Sequence, residues 1–117
     1  MEIEGPVIKI RNVIVVRGQK VATVNSAAAF YGVVPAVVMR AVKRNKKKFT
    51  KELVFYLTPR EIAALPGDGR TFHKNHPVFT EIGVSMLSTV LQSPKAVQTN
   101  IEIVRQTVRL LKLDQGV

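Results

Sequence analysis

Hydrophobic and polar positions run along this chain in short blocks whose period changes several times. The runs VIKIRNVIVV and KVATV are rich in β-branched residues and flank Arg17-Gly18-Gln19-Lys20, where Gly18 can supply the positive φ of a two-residue hairpin turn. The pattern predicts a β-hairpin. Ser26 then reads as the N-cap of a short helix, AAAFY, which stops at Gly32, a residue suited to the left-handed position after a helix. From about Val34, the residues Val34, Val37, Val38, Ala41 and Val42 repeat at i, i+3, i+4, i+7 and i+8, with Pro35 acceptable in the first turn. A short helix, a glycine turn and a longer helix make a helix-turn-helix-like pair.

Further along, LVFYL (Leu53 to Leu57) reads as a strand, and Thr58-Pro59-Arg60-Glu61 opens a short helix that ends by Pro66. PGDGRTFHKNHP has no periodicity and reads as a surface loop. Thr80 and Glu81 start a largely buried helix through Leu91, with Ile82, Met86 and Val90 on its apolar face and Gly83, Ser85 and Ser88 allowing close packing. Ser93-Pro94 caps a last helix. Along it Val97, Ile101, Val104, Val108 and Leu111 are spaced alternately by four and three, a seam for the core or for another subunit.

These elements predict an α+β fold: a small single domain with an N-terminal β-hairpin, a helix-turn-helix-like pair, a further short strand and two packed C-terminal helices. At 117 residues the chain fits one domain, 1–117, with its ordered core at about 7–113. Composition is in the globular range, with 46% hydrophobic and 22% charged residues. The lack of cysteine excludes disulfides and thiolate metal sites and favours a reducing interior. MEIEGPVIKI carries acids where a signal peptide needs a basic region, and no apolar run reaches membrane-spanning length. The expectation is a cytoplasmic protein.

Charge sharpens the picture. Eighteen Lys and Arg against eight Asp and Glu give a net charge of +10, which points to a polyanionic partner. The stretch RAVKRNKKKFTK, Arg40 to Lys51, holds seven of those cations and no acid. At 100° per residue Arg40, Lys43, Arg44 and Lys47 share one face of the second helix, with the valines roughly opposite. Cations at a helix C-terminus also favour the macrodipole, and Lys46, Lys47 and Lys48 fit that explanation. The dipole effect fades within a turn, so it does not account for Arg40 and Lys43. Short basic matches such as KRNKKK, which also resemble an import signal, are frequent by chance.

In order along the chain, RGQKV, YGV, AVKRN with a following Phe, LVFYLT, FTEIGVSMLSTVL and NIEIVRQTVRL resemble the phage ORF-six N-terminal domain, of the KilA-N and Bro-N group. The resemblance covers about Val13 to Leu113. It implies a KilA-N-like DNA-binding domain of phage or prophage regulatory proteins, often antirepressor-like, working on the bacterial nucleoid. One departure stands out. Such domains usually carry polar residues after YGV, whereas this chain has Val34-Pro35-Ala36-Val37-Val38-Met39, and neither Pro35 nor Ala36 can hydrogen-bond a base. Arg40 is then the candidate for a bidentate guanine contact, and Lys43, Arg44 and Lys47 are assigned to phosphates. Arg17 and Lys20, at the hairpin tip, are candidates for further backbone contacts.

The expected partner is therefore double-stranded DNA, with a homodimer suggested by the Val97 to Leu111 seam. A second reading makes the chain a protein interaction module that captures a repressor or other host protein through the valine-rich stretch. RNA ranks third, since only seven aromatics are present. No enzymatic activity, cofactor or metal is expected. His73 and His76 in HKNH lack companion ligands nearby in sequence, and the loop's GDG lacks the Lys-Ser/Thr of a phosphate-binding loop. Glu81 and Glu102 have structural explanations: Glu81 favours a helix N-terminus, and Glu102 can pair with Arg105.

Overall fold

The computed structural model describes residues 2–4, 8–11, 13–65 and 76–114. It is an α+β fold. An antiparallel ribbon of β1 (Glu2–Glu4) and β2 (Lys9–Arg11) pairs Ile3 with Ile10, and both side chains are buried. The core thus reaches Ile3, ahead of the boundary expected near residue 7. Beside the ribbon lies a four-stranded antiparallel sheet of β3 (Ile14–Val16), β4 (Gln19–Thr23), β5 (Val54–Phe55) and β6 (Val78–Phe79), in the order β3-β4-β6-β5. The run VIKIRNVIVV is therefore two strands, which pair with different neighbours. Only its second part forms the predicted hairpin, with Val16 opposite Gln19. The tip is Arg17-Gly18, both at positive φ (55° and 74°), the requirement of a type I′ turn.

Side chains alternate across the sheet and feed two apolar clusters. Ala22 and Phe79 join the main core with α1 (Val24–Tyr31), α2 (Pro35–Arg44) and α4 (Glu81–Leu87). Val21 and Val78 point the other way, to a smaller cluster with Val16 and Leu57, against which Ile62 of α3 (Pro59–Ala63) packs. Of LVFYL only Val54 and Phe55 pair as strand. The helix at Thr58 starts as predicted: Thr58 Oγ1 accepts from Glu61 N, and Glu61 reaches back to Thr58 N.

The first helix starts two residues before the predicted AAAFY segment's cap. Thr23, in extended conformation, accepts from Ser26 N at 3.1 Å, so Ser26 lies inside the helix rather than at its cap. Val24, Ala27, Ala28 and Tyr31 form the buried stripe, and Gly32 ends the helix in the left-handed conformation at φ 67°. The chain then turns, and α2 leaves at 101° to α1. Among the described residues no single helix is long and apolar enough to cross a membrane.

α4 ends at Leu87, shorter than predicted, and its buried face is Gly83, Val84 and Leu87. Ile82 is exposed instead of buried, because Thr80 sets the phase by capping Gly83 N at 3.1 Å while its backbone N–H donates to Leu53 O. The last helix, α5 (Pro94–Asp114), starts at the predicted cap, Ser93 Oγ accepting from Ala96 N. Ala96 and Thr99 are buried and Ile103 packs against the main core. From Val104 to Lys112 no residue is buried.

Candidate nucleic-acid interface

α2 is a half-buried helix by construction. Val38 and Ala41 enter the core, with Val37 and Val42 partly buried beside them, while Arg40, Lys43 and Arg44 are exposed on the other side. Pro35 occupies the first helical position, where its missing N–H costs nothing. Ala36 is exposed one turn before Arg40, as the helical projection requires. The valine-rich stretch is mostly core: Val38 is fully buried and only Val34 stands well exposed. It offers little contact surface for a partner.

Lys47 departs from its predicted place. The helix ends at Arg44, and Asn45 turns the chain, its Nδ2 donating to Ala41 O at 2.7 Å. Lys48 N and Phe49 N both donate to Asn45 O, and Phe49 drops into the core edge-on to Phe79. The stop at Asn45 brings Phe49 to the core. Lys46, Lys47 and Lys48 are consequently exposed on a turn beyond the helix rather than on its face. Because the helix stops at Arg44, Lys43 and Arg44 lie in its last turn, where the macrodipole favours cations, so of the face's cations only Arg40 stands outside that explanation.

Three concavities border the basic side of α2. A groove of about 750 Å³ has Met39, Val42, Phe49, Val54, Phe55, Tyr56 and Pro77 as apolar lining and Arg17, Lys43, Lys46 and Lys51 as its cations. A smaller hollow of about 200 Å³ separates Arg40 and Arg44 from Val90, Leu91 and Gln92. Ala36, Met39, Arg40 and Lys43 share a third with His76. Arg40 and Lys43 thus stand on ridges, each reaching two hollows. The sequence contains no acid between Glu4 and Glu52, so this side of α2 has no anionic residue of its own stretch to neutralise it.

At the hairpin tip the two predicted contacts divide. Lys20 is exposed on β4. Arg17 is engaged within the fold: its guanidinium lies 4.3 Å from the Phe55 ring centroid and donates to both carboxylate oxygens of Glu61. Sequence reasoning missed Tyr56 and His76 as neighbours of the basic helix. The missing signal was long-range, because β5 and the residues before β6 come beside α2 only through sheet pairing. His73 and the GDG lie outside the described residues. Among those residues, no group of three or more His, Asp or Glu is placed to hold a metal ion. Glu102 pairs with Arg105 at 2.6 Å, as its spacing predicted.

Fold and surface together define a small α+β domain that presents a basic helix from a helix-turn-helix-like pair. The chain belongs to the ORF6N domain family, whose model matches residues 11–90, more than half of its length. No curated protein and no solved structure matches it. The match takes in β3 through α4 and stops short of α5, so the motif NIEIVRQTVRL lies beyond it.

Proposed function

We propose that this ORF6N domain binds double-stranded DNA through the exposed side of α2 and the lysine turn that follows it, mainly by phosphate contacts. The observation that carries this reading is the combination of Arg40, Lys43 and Arg44 on a helix anchored by Val38 and Ala41, continued by three exposed lysines. Each cation that meets a phosphate releases condensed counterions, which is the main source of sequence-independent affinity. Arg40 supplies the guanine contact, because Pro35 and Ala36 leave the preceding turn without hydrogen-bonding side chains. Lys20 adds a backbone contact, and Arg17 holds the hairpin tip in place. The biological setting is regulation in a phage or prophage, in the bacterial cytoplasm.

The test is duplex binding by fluorescence anisotropy with Lys43→Glu/Arg44→Glu. Both side chains are exposed, so the double variant should stay folded, with a slightly lower melting temperature from acids in the helix's last turn, and lose binding. Wild-type affinity in the variant overturns the reading. A second reading, capture of a repressor or other protein, draws on the apolar groove between α2 and β5, whose Lys43, Lys46 and Lys51 suit an acidic, partly apolar segment. In that case the wild-type chain retains a protein from host lysate while showing no salt-dependent affinity for duplex.

A further inference from the structure

Six of the ten large hydrophobic residues that stand exposed among the described ones lie on α5. Five of them, Val97, Ile101, Val104, Val108 and Leu111, form the four-three seam, and each is between 45% and 54% exposed. The opposite side of the helix is the one that docks: Ala96, Thr99 and Ile103 face the domain, so the seam faces away from it. α5 has 21 residues, about 31 Å at 1.5 Å per residue, and its second half buries nothing. The Cα radius of gyration, 14.9 Å, exceeds the roughly 13 Å of a compact chain of this length, in keeping with a projecting helix. Burial of this seam is not supplied within the domain.

We propose that α5 is a self-association helix, and that its seam pairs in parallel with α5 of a second copy of this chain. A period of 3.5 residues is the pattern that packs a helix against a helix of like period, and Ile101 and Val108 then occupy the positions where β-branched residues favour two strands. Leu111 takes a position where leucine does so. The flanking residues choose the direction. In a parallel pair Asn100 faces Arg105 of the second copy and Thr107 faces Lys112 of the second copy, so no like charges meet across the seam. An antiparallel pair aligns the row of Gln98, Arg105 and Lys112 with the same row of its partner, placing cations against cations. Parallel pairing joins the two copies with their domains at one end, a two-fold particle of the kind that reads paired half-sites.

Sedimentation equilibrium of the whole chain without DNA decides this independently of any DNA-binding activity. The expected result is a concentration-dependent mass approaching twice the 13.0 kDa chain, returning to the single-chain mass in Val104→Glu/Val108→Glu, which stays folded with a melting temperature that no longer depends on concentration. A single-chain mass for the wild type at every concentration overturns the proposal, as does a trimer or tetramer. Direction is read from cysteine cross-linking, since the chain has none of its own. Leu111→Cys should oxidise to a covalent dimer much faster than Gln106→Cys on the far side of the helix. Equal rates, or cross-linking only in a mixture of Val97→Cys and Leu111→Cys chains, overturn the parallel arrangement.

Discussion

Arg17 and Glu61, 44 residues apart, are joined side by side, Nε donating to Oε2 at 2.9 Å and Nη2 to Oε1 at 3.0 Å. The pair fastens the hairpin tip to the start of α3, and Glu61 Oε1 also accepts from Thr58 N at 2.9 Å. One carboxylate therefore closes a helix cap and a long-range ion pair. The hydrogen bond from Arg17, with that from Thr58 behind it, lowers the Glu61 pKa from its ordinary 4.5 to about 2.

A carboxyl group with a lowered folded pKa stabilises the fold above its ordinary pKa and loses that contribution as pH falls through the folded value. The window here runs from about 4.5 down to about 2. Glu61→Gln should melt below wild type at neutral pH, with the gap narrowing through that window until the two curves meet. A gap independent of pH would assign the effect to packing alone. Because the pair is solvent-accessible, added salt should shrink the gap as well.

Tyr31 gives the opposite limb of the pH profile. Its ring is fully buried, and its hydroxyl donates to Val84 O at 2.6 Å, tying α1 to α4. Burial pushes the phenol above its ordinary value of 10. The folded state then holds a proton that the unfolded state releases, so stability from this group is complete below pH 10 and declines above it. Tyr31→Phe should cost about 0.5–1.5 kcal/mol in urea unfolding at pH 7 for the lost hydrogen bond. Above pH 10 the variant should lose stability less steeply than wild type, and parallel curves there would contradict the account.

Gly83 brings the backbone of α4 close to that of Leu53. A Cβ at this position would meet the Leu53 carbonyl, the same oxygen that accepts from Thr80 N and Thr80 Oγ1. That oxygen is held by both bonds and cannot swing aside. Gly83→Ala should therefore destabilise by about 1–3 kcal/mol despite the better helix propensity of alanine, as overpacking does. Urea midpoints at constant m-value measure it.

Legibility followed the range of the interaction that decided each element. The hairpin, the Gly32 stop, the Thr58 cap and the Ser93 start rest on bonds spanning a few residues, and the sequence carried them. Ser26 was passed over as cap because Thr23, equally able to cap, sits at the end of β4 and read as strand. Lys47 left the helix face where the chain turns so that Phe49 can meet Phe79 of β6, three elements further along the chain. The charge of RAVKRNKKKFTK was visible from the start, but its neighbours Tyr56 and His76 were not, since sheet order β4-β6-β5 is not written in any local pattern. For α5 the spacing was plain while the choice between core and partner was not, because the two ask for the same residues.

The position of Lys47 on a turn, with Arg40 on the helix between two hollows, gives the two kinds of proposed DNA contact separate tests. If phosphates dominate, log affinity should fall with log salt at about 0.9 per neutralised phosphate, so about four to six contacts give a slope near −4 to −5. Lys47→Ala should reduce that slope by about one and weaken all duplexes alike, since a turn lysine beyond the helix end has no fixed approach to a base edge. Arg40→Ala should cost roughly 1–3 kcal/mol, chiefly on a preferred guanine-containing site. Anisotropy titrations of both variants across a salt series, on a selected and a scrambled duplex, measure the contrast. A sharply defined selected motif that survives Arg40→Ala would move base reading from α2 to another element, with Lys20 on the hairpin or His76 beside Arg40 as the next residues to replace.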